Sequence, residues 1–226
     1  MLAREARWFR RQLERMPDGD VFPLLNVGSH TAEFRATGQP WIDGELFRPL
    51  ADRGGRVVHT DIRPAAGVDL VGDLLDPAFR DELRQRRFRS VMFCNVLEHV
   101  SDREPIARTV ADVVAPGGLL LVSCPHRFPY HPDPIDTLYR PSVSELASLF
   151  PGTSLVHGQI VPCGNLTTYV LGRASAAPVA FLRTMIQPRG VKSPHETAAP
   201  SSHKLALLPW LIRTFAVTCV VLRKED

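Results

Sequence analysis

Cysteine is scarce in this 226-residue chain, with four in all, and none stands in a Cys-x-x-Cys pair. Cys94, Cys124 and Cys219 fall inside apolar runs that read as central strands, and Cys163 has no partner at metal-binding spacing. All four read as small buried hydrophobes of a reducing compartment, which excludes a disulfide frame and a zinc knot. Long apolar runs are missing as well: no stretch reaches the ~18 residues a membrane-spanning helix needs. The first residues carry charges throughout, unlike a leader peptide, so the expectation is a soluble, cytoplasmic protein. The net charge is only +3, with small arginine concentrations at 4–15 and 84–89. Neither is dense enough for a nucleic-acid stripe, and no nucleic-acid partner is expected. Also absent are Gly-x-Gly-x-x-Gly, the glycine and lysine phosphate loop, and Gly-x-Ser-x-Gly. Those absences demote dinucleotide oxidoreductases, phosphate-loop enzymes and serine hydrolases.

What the chain has is apolar content, 44% of its residues, in short bounded runs. That suffices for a substantial core, at a length where an α/β fold remains one domain. Leu2, Ala6, Phe9, Leu13 and Met16 recur at helical spacing until Pro17-Asp18-Gly19, predicting a helix within residues 1–19. Strand-like runs follow at 21–27, 56–61, 90–95 and 119–124, with helical patterns at 77–85, 103–114 and 142–150. This alternation predicts a doubly wound, mostly parallel sheet with helices on both faces, over a core of residues 20–171. A last strand-like run at 215–222 lies in a terminal segment, 214–226. Residues 172–213 depart from the pattern and read as an insertion, with apolar stretches at 179–186 and 205–212. Phe181, Met185, Leu207, Leu208, Trp210 and Leu211 suit a lid, a dimer contact or a peripheral membrane contact. Packing against the domain is the leading expectation for this segment and for the N-terminal helix with Trp8 and Phe9. The chain is expected to be a monomer or a homodimer.

In a sheet of this kind, ligands bind outside the carboxyl ends of the strands, at the switch point. Gly28, Asp61, Asp73, Asn95 and Pro125-His126 all follow strand-like runs and gather there. A glycine after the first strand lets backbone approach a ligand closely. An acid ending the second strand can accept hydrogen bonds from both hydroxyls of a ribose.

Leu25-Asn26-Val27-Gly28, His59-Thr60-Asp61, Gly72-Asp73-Leu74, Asn95-Val96-Leu97-Glu98-His99-Val100 and Pro116-Gly117-Gly118 stand in one order. In that order they resemble a class I S-adenosylmethionine-dependent methyltransferase, most closely the type 11 group, over roughly residues 20–160. The resemblance implies a Rossmann-like, seven-stranded sheet with an antiparallel last strand, and S-adenosylmethionine as cofactor. By the same resemblance Asn26, Gly28 and Ser29 face the methionine part, and Asp61 with Ile62 the ribose. Asp73 and Leu74 face the adenine, and Asn95 closes the pocket beside the transferable methyl. The family's first motif has an acid and then Gly-x-Gly-x-Gly, whereas this chain reads Asn26-Val27-Gly28-Ser29-His30-Thr31-Ala32. A non-catalytic scaffold that has lost cofactor binding is therefore the alternative to an enzyme.

Glu98 and His99 are expected to orient the turn after the fourth strand by hydrogen bonds, and no metal site is expected. The segment 125–141 packs two histidines, two aspartates, two tyrosines, two arginines and five prolines into one loop. Prolines let such a polar loop hold side chains in place without regular structure. Tyr130, Asp136, Tyr139 and Arg140 are the candidate substrate-binding residues, and methylation of a small molecule on oxygen is the expected reaction. A protonated nucleophile needs a base, for which His126 and His131 are candidates, His126 first because it directly follows the strand.

Overall fold

The computed structural model describes residues 1–131, 135–169 and 208–225. The expected apolar segment 179–186 and the stretch 187–202 lie outside these. Seven strands form one sheet: β1 (Leu24–Val27), β2 (Val57–Asp61), β3 (Leu70–Val71), β4 (Phe88–Cys94), β5 (Val114–Arg127), β6 (Thr153–Pro162) and β7 (Ala216–Lys224). Their order is β3-β2-β1-β4-β5-β7-β6. β1 to β5 pair in parallel, whereas β7 runs antiparallel between β5 and β6. The doubly wound sheet with an antiparallel last strand is thus as the sequence implied. The order reverses between β1 and β4, which places the switch point at the ends of those strands.

The central strands are apolar on both faces, as strands covered on both sides must be. Their side chains alternate between two cores. Leu25, Val91, Phe93, Leu120 and Val122 pack with α5 (Pro77–Gln85), α6 (Arg103–Val113) and α7 (Val143–Ser148). Leu24, Met92, Leu119 and Leu121 pack on the other face with α1 (Ala3–Leu13), α2 (Asp18–Val21) and the helical stretch of α3 (Pro40–Ile42) and α4 (Arg48–Asp52). Trp8 and Phe9 are buried in this second core, so the N-terminal helix packs against the domain.

Boundaries shift in two instructive places. Val21, read as strand, closes the one-turn helix α2, whose buried side chain anchors the approach to β1. β5 continues to Arg127 through a register shift near Pro125. α5 starts where the sequence says, because Pro77 takes the first helical position and Asp76 Oδ1 accepts the Ala78 N–H at 3.0 Å. In the expected insertion, Leu208–Leu211 form a short turn in which Trp210 lies 5.7 Å, ring to ring, from Phe215. Among the described residues no helix is long and apolar enough to cross a membrane.

Candidate active site

The loop leaving β1 turns sharply at Gly28, whose φ is +67°. A Cβ there would stand 2.9 Å from Val96 Cγ2, so only glycine leaves this approach open. Two residues on, where the family pattern has its second glycine, His30 adopts φ +56°. Left-handed backbone costs a non-glycine residue about 1–2 kcal/mol, and the surroundings supply the restraint. The His30 N–H donates to Asp61 Oδ2 at 2.9 Å, and its ring stacks on Phe34 at 4.1 Å. Arg35, buried beneath, donates to the carbonyls of Ser29 (2.9 Å), His30 (2.7 Å) and Gly67 (2.8 Å). Asn26, in place of the family's acid, donates through Nδ2 to His59 Nδ1 at 3.1 Å. Burial and then Arg35 push that imidazole down to about 4, so it is neutral and accepts.

Asp61 ends β2 with its carboxylate facing this loop, and Oδ1 also takes the Arg63 N–H at 3.2 Å. Asp73 Oδ1 accepts the Leu75 N–H at 2.9 Å, closing the turn after β3. Asn26, Gly28, Ser29, Asp61, Ile62, Asp73, Leu74 and Asn95 all line one cavity of about 1210 Å³. Single-ligand pockets run to about 1,000 Å³, so this one has room for an acceptor beside a cofactor.

The same cavity is also lined by Glu98, His99, Phe128, Pro129 and His131. Asp136, buried beneath the loop, accepts from Arg140 Nη2 at 2.7 Å and Nη1 at 3.1 Å, and from the Leu138 and His131 N–H groups at 2.9 and 3.2 Å. Burial alone would raise its carboxyl, but these donors outweigh it and hold the group at about 2. His131 Nδ1 lies 3.0 Å from Asp136 Oδ2. Burial lowers the His131 pKa despite that carboxylate, which keeps the ring neutral near pH 7. Glu98 is buried, and burial raises it to about 7. Its carbonyl accepts the Thr137 N–H at 2.9 Å, while His99 Nδ1 donates to Ile135 O at 2.5 Å. Glu98, His99 and His131 each bring one potential ligand atom to within 4.8 Å of the others, the chemistry a divalent cation uses.

A family model described as a methyltransferase domain matches residues 42–122, the span that carries Asp61, Asp73 and Asn95. Solved structures of like fold include the [4+2]-cyclase SpnF, at 17% identity and a TM-score of 0.56 over 97% of this chain and 80% of that one. A protein described as a candidate sarcosine dimethylglycine methyltransferase, from Galdieria sulphuraria, is 14% identical with a TM-score of 0.54 over 98% of this chain and 85% of that one. The methyltransferase bound to the Haloferax volcanii activator Trm112 is 16% identical, with a TM-score of 0.54 over 99% and 90%. No curated protein matches the chain in sequence. The chain thus carries a methyltransferase-domain match over residues 42–122 and shares the Rossmann-like fold of these structures.

The cavity suits S-adenosylmethionine, the cofactor that the resemblance implies. Gly28 keeps backbone open where a side chain cannot stand, and Asp61 retains lone pairs beyond the two hydrogen bonds it makes. The acceptor residues expected from sequence divide differently. His131 lines the cavity, whereas His126, Tyr130, Asp136, Tyr139 and Arg140 do not. His126 Nδ1 lies 3.1 Å from Pro141 O, on the α7 side, because it shares a strand face with Cys124 of that core. Tyr139 packs 4.2 Å beneath the Arg103 guanidinium, and Arg140 is spent on Asp136, so both pin the loop. The sequence reading missed Glu5 and Arg35, both buried and both lining the cavity. A signal existed for Glu5, a carboxylate three residues after Leu2 on the apolar stripe of α1.

Proposed function

We propose that this methyltransferase methylates an oxygen of a small-molecule acceptor, with His131 as base and Asp136 orienting it. The observation that carries this reading is the 3.0 Å approach of His131 Nδ1 to Asp136 Oδ2, with His131 lining the same cavity as the cofactor residues. With Nδ1–H donated to Pro129 O at 3.3 Å and Asp136 Oδ2 3.0 Å from the same nitrogen, Nε2 keeps its lone pair and can take the acceptor's proton, while the nearby carboxylate favours the imidazolium that forms. S-adenosylmethionine supplies an electrophilic methyl on a sulfonium. Gly28, Ser29 and Asn26 would hold its methionine part, Asp61 and Ile62 its ribose, and Asp73 and Leu74 its adenine. Holding the two reactants in line is worth up to about 7–11 kcal/mol of barrier, and one cavity lined by both sets of residues suits that task.

The test has two stages. Calorimetry with S-adenosylhomocysteine should give binding to the wild type that Asp61→Ala abolishes; no binding to the wild type would leave the scaffold alternative standing. Radiolabelled methyl transfer to a panel of hydroxyl and amine compounds then identifies the acceptor. A hydroxyl acceptor whose methylation collapses in His131→Ala supports the proposal, and transfer confined to amines refutes it.

A further inference from the structure

α1 brings into the cavity a carboxylate that no strand-end motif accounts for. Glu5 is 0% exposed and lines the cavity. Its Oε2 accepts the Leu2 N–H at 2.8 Å, the ordinary work of an acid in the first turn of a helix. Its Oε1 reaches elsewhere, accepting from Asn95 Nδ2 at 2.7 Å and Ser123 Oγ at 2.6 Å. Those two residues adjoin, Asn95 just past the end of β4 and Ser123 within β5, where the Asn95 N–H donates to Ser123 O at 3.0 Å.

Three donors thus converge on a group with no access to water. No ion pair among the described residues includes Glu5. Neutral donors fix the position of this buried carboxyl group, and an opposite charge brought near a buried carboxylate interacts with it strongly. The cavity end of this cluster is Asn95, the residue that the family places beside the transferable methyl.

We propose that Glu5 recognises positive charge at the transfer point, so that the cavity prefers cationic S-adenosylmethionine to neutral S-adenosylhomocysteine. The inference rests on the family's cofactor but not on the acceptor assigned above. During transfer the sulfur–methyl bond breaks with its electron pair left on sulfur, and a pair from the acceptor forms the new bond to carbon. The spent cofactor is then neutral, and its attraction to Glu5 ends with the reaction. Glu5 in this role favours loading and exchange, not the chemical step, since it stabilises the charge present before transfer.

Calorimetry on the full chain tests this with three probes: S-adenosylmethionine, S-adenosylhomocysteine, and sinefungin, which carries an amine in place of the methylated sulfur. The wild type should bind both cationic probes more tightly than S-adenosylhomocysteine. Glu5→Gln should weaken the cationic probes about tenfold, the scale of one partly screened charge pair, and S-adenosylhomocysteine less than twofold. Equal wild-type affinity for charged and neutral probes overturns the proposal without any variant, which covers a Glu5→Gln chain that does not fold. Equal weakening of all three probes also overturns it, leaving Glu5 as a prop for Asn95. Failure of every probe to bind the wild type removes the cofactor reading and this proposal together.

Discussion

Gly28→Ala probes the cofactor loop at its tightest point. The substitution meets two separate obstacles. The backbone there holds φ +67°, which costs an alanine about 1–2 kcal/mol. The new methyl also lands 2.9 Å from Val96 Cγ2, closer than carbon atoms pack, and overfilling of this kind costs about 1–3 kcal/mol. Together they predict a loss of about 2–5 kcal/mol, divided between fold stability and the affinity for S-adenosylhomocysteine according to whether the loop resists or shifts. Urea unfolding at neutral pH reads the first part, and calorimetry the second. Adding Val96→Ala removes the contact but not the backbone strain, so the double variant should recover part of the deficit and retain about 1–2 kcal/mol of it. A Gly28→Ala protein that matches the wild type in both assays would refute the reasoning, as would a double variant that recovers everything.

Arg35→Met removes the Arg35 donor from the carbonyls of Ser29 and Gly67 and leaves the His30 carbonyl only Ser29 Oγ at 3.2 Å, and about 2–4 kcal/mol of stability should be lost in urea unfolding, with weaker S-adenosylhomocysteine binding; unchanged binding would show that the loop holds itself. His131→Ala should lose transfer to a hydroxyl acceptor while His126→Ala keeps it. Because burial lowers the His131 pKa, the wild-type rate should fall only as pH drops below about 6.5; Asp136→Asn, by removing the anion that raises His131, should move that limb lower still. Glu98, raised from 4.5 to about 7 mainly by burial, binds its proton more tightly folded than unfolded. It therefore contributes stability below pH ~4.5 that is lost as pH rises through about 7, up to about 3 kcal/mol at 1.36 kcal/mol per unit. Glu98→Gln should flatten that slope, and parallel wild-type and variant stability curves from pH 4.5 to 8 would contradict it.

The strand ends were readable because the sheet rule needs only local patterns. Asp61 and Asp73 close short apolar runs, and α5 is announced by Asp76-Pro77 at its start and by Phe79 and Leu83 at core spacing. Contacts that join distant segments were not readable in the same way. Glu5 bonds Asn95 and Ser123, 90 and 118 residues away, and Arg35 reaches Gly67 across 32. The order of the two histidines failed for a local reason that only the strand's length reveals. β5 continues past Cys124, so His126 keeps that residue's face and turns toward α7, and the chain needs several more residues before His131 returns to the cavity.

The altered glycine motif shows why a pattern of letters and a pattern of forces can part. What glycines supply after β1 is a close backbone approach and a left-handed turn. The first need is strict, because Val96 occupies the space a side chain would take, and Gly28 meets it. The second is conformational, and a non-glycine residue can satisfy it when neighbours offset about 1–2 kcal/mol of strain. At His30 they do so from three directions: Asp61 below the N–H, Arg35 on the carbonyl, and Phe34 against the ring. Asp61 is therefore a structural clasp by observed geometry, beside the ribose-binding role proposed for it. The two roles use different lone pairs of one carboxylate, so the loop that frames the cofactor and the acid that would hold it are fixed by the same residue.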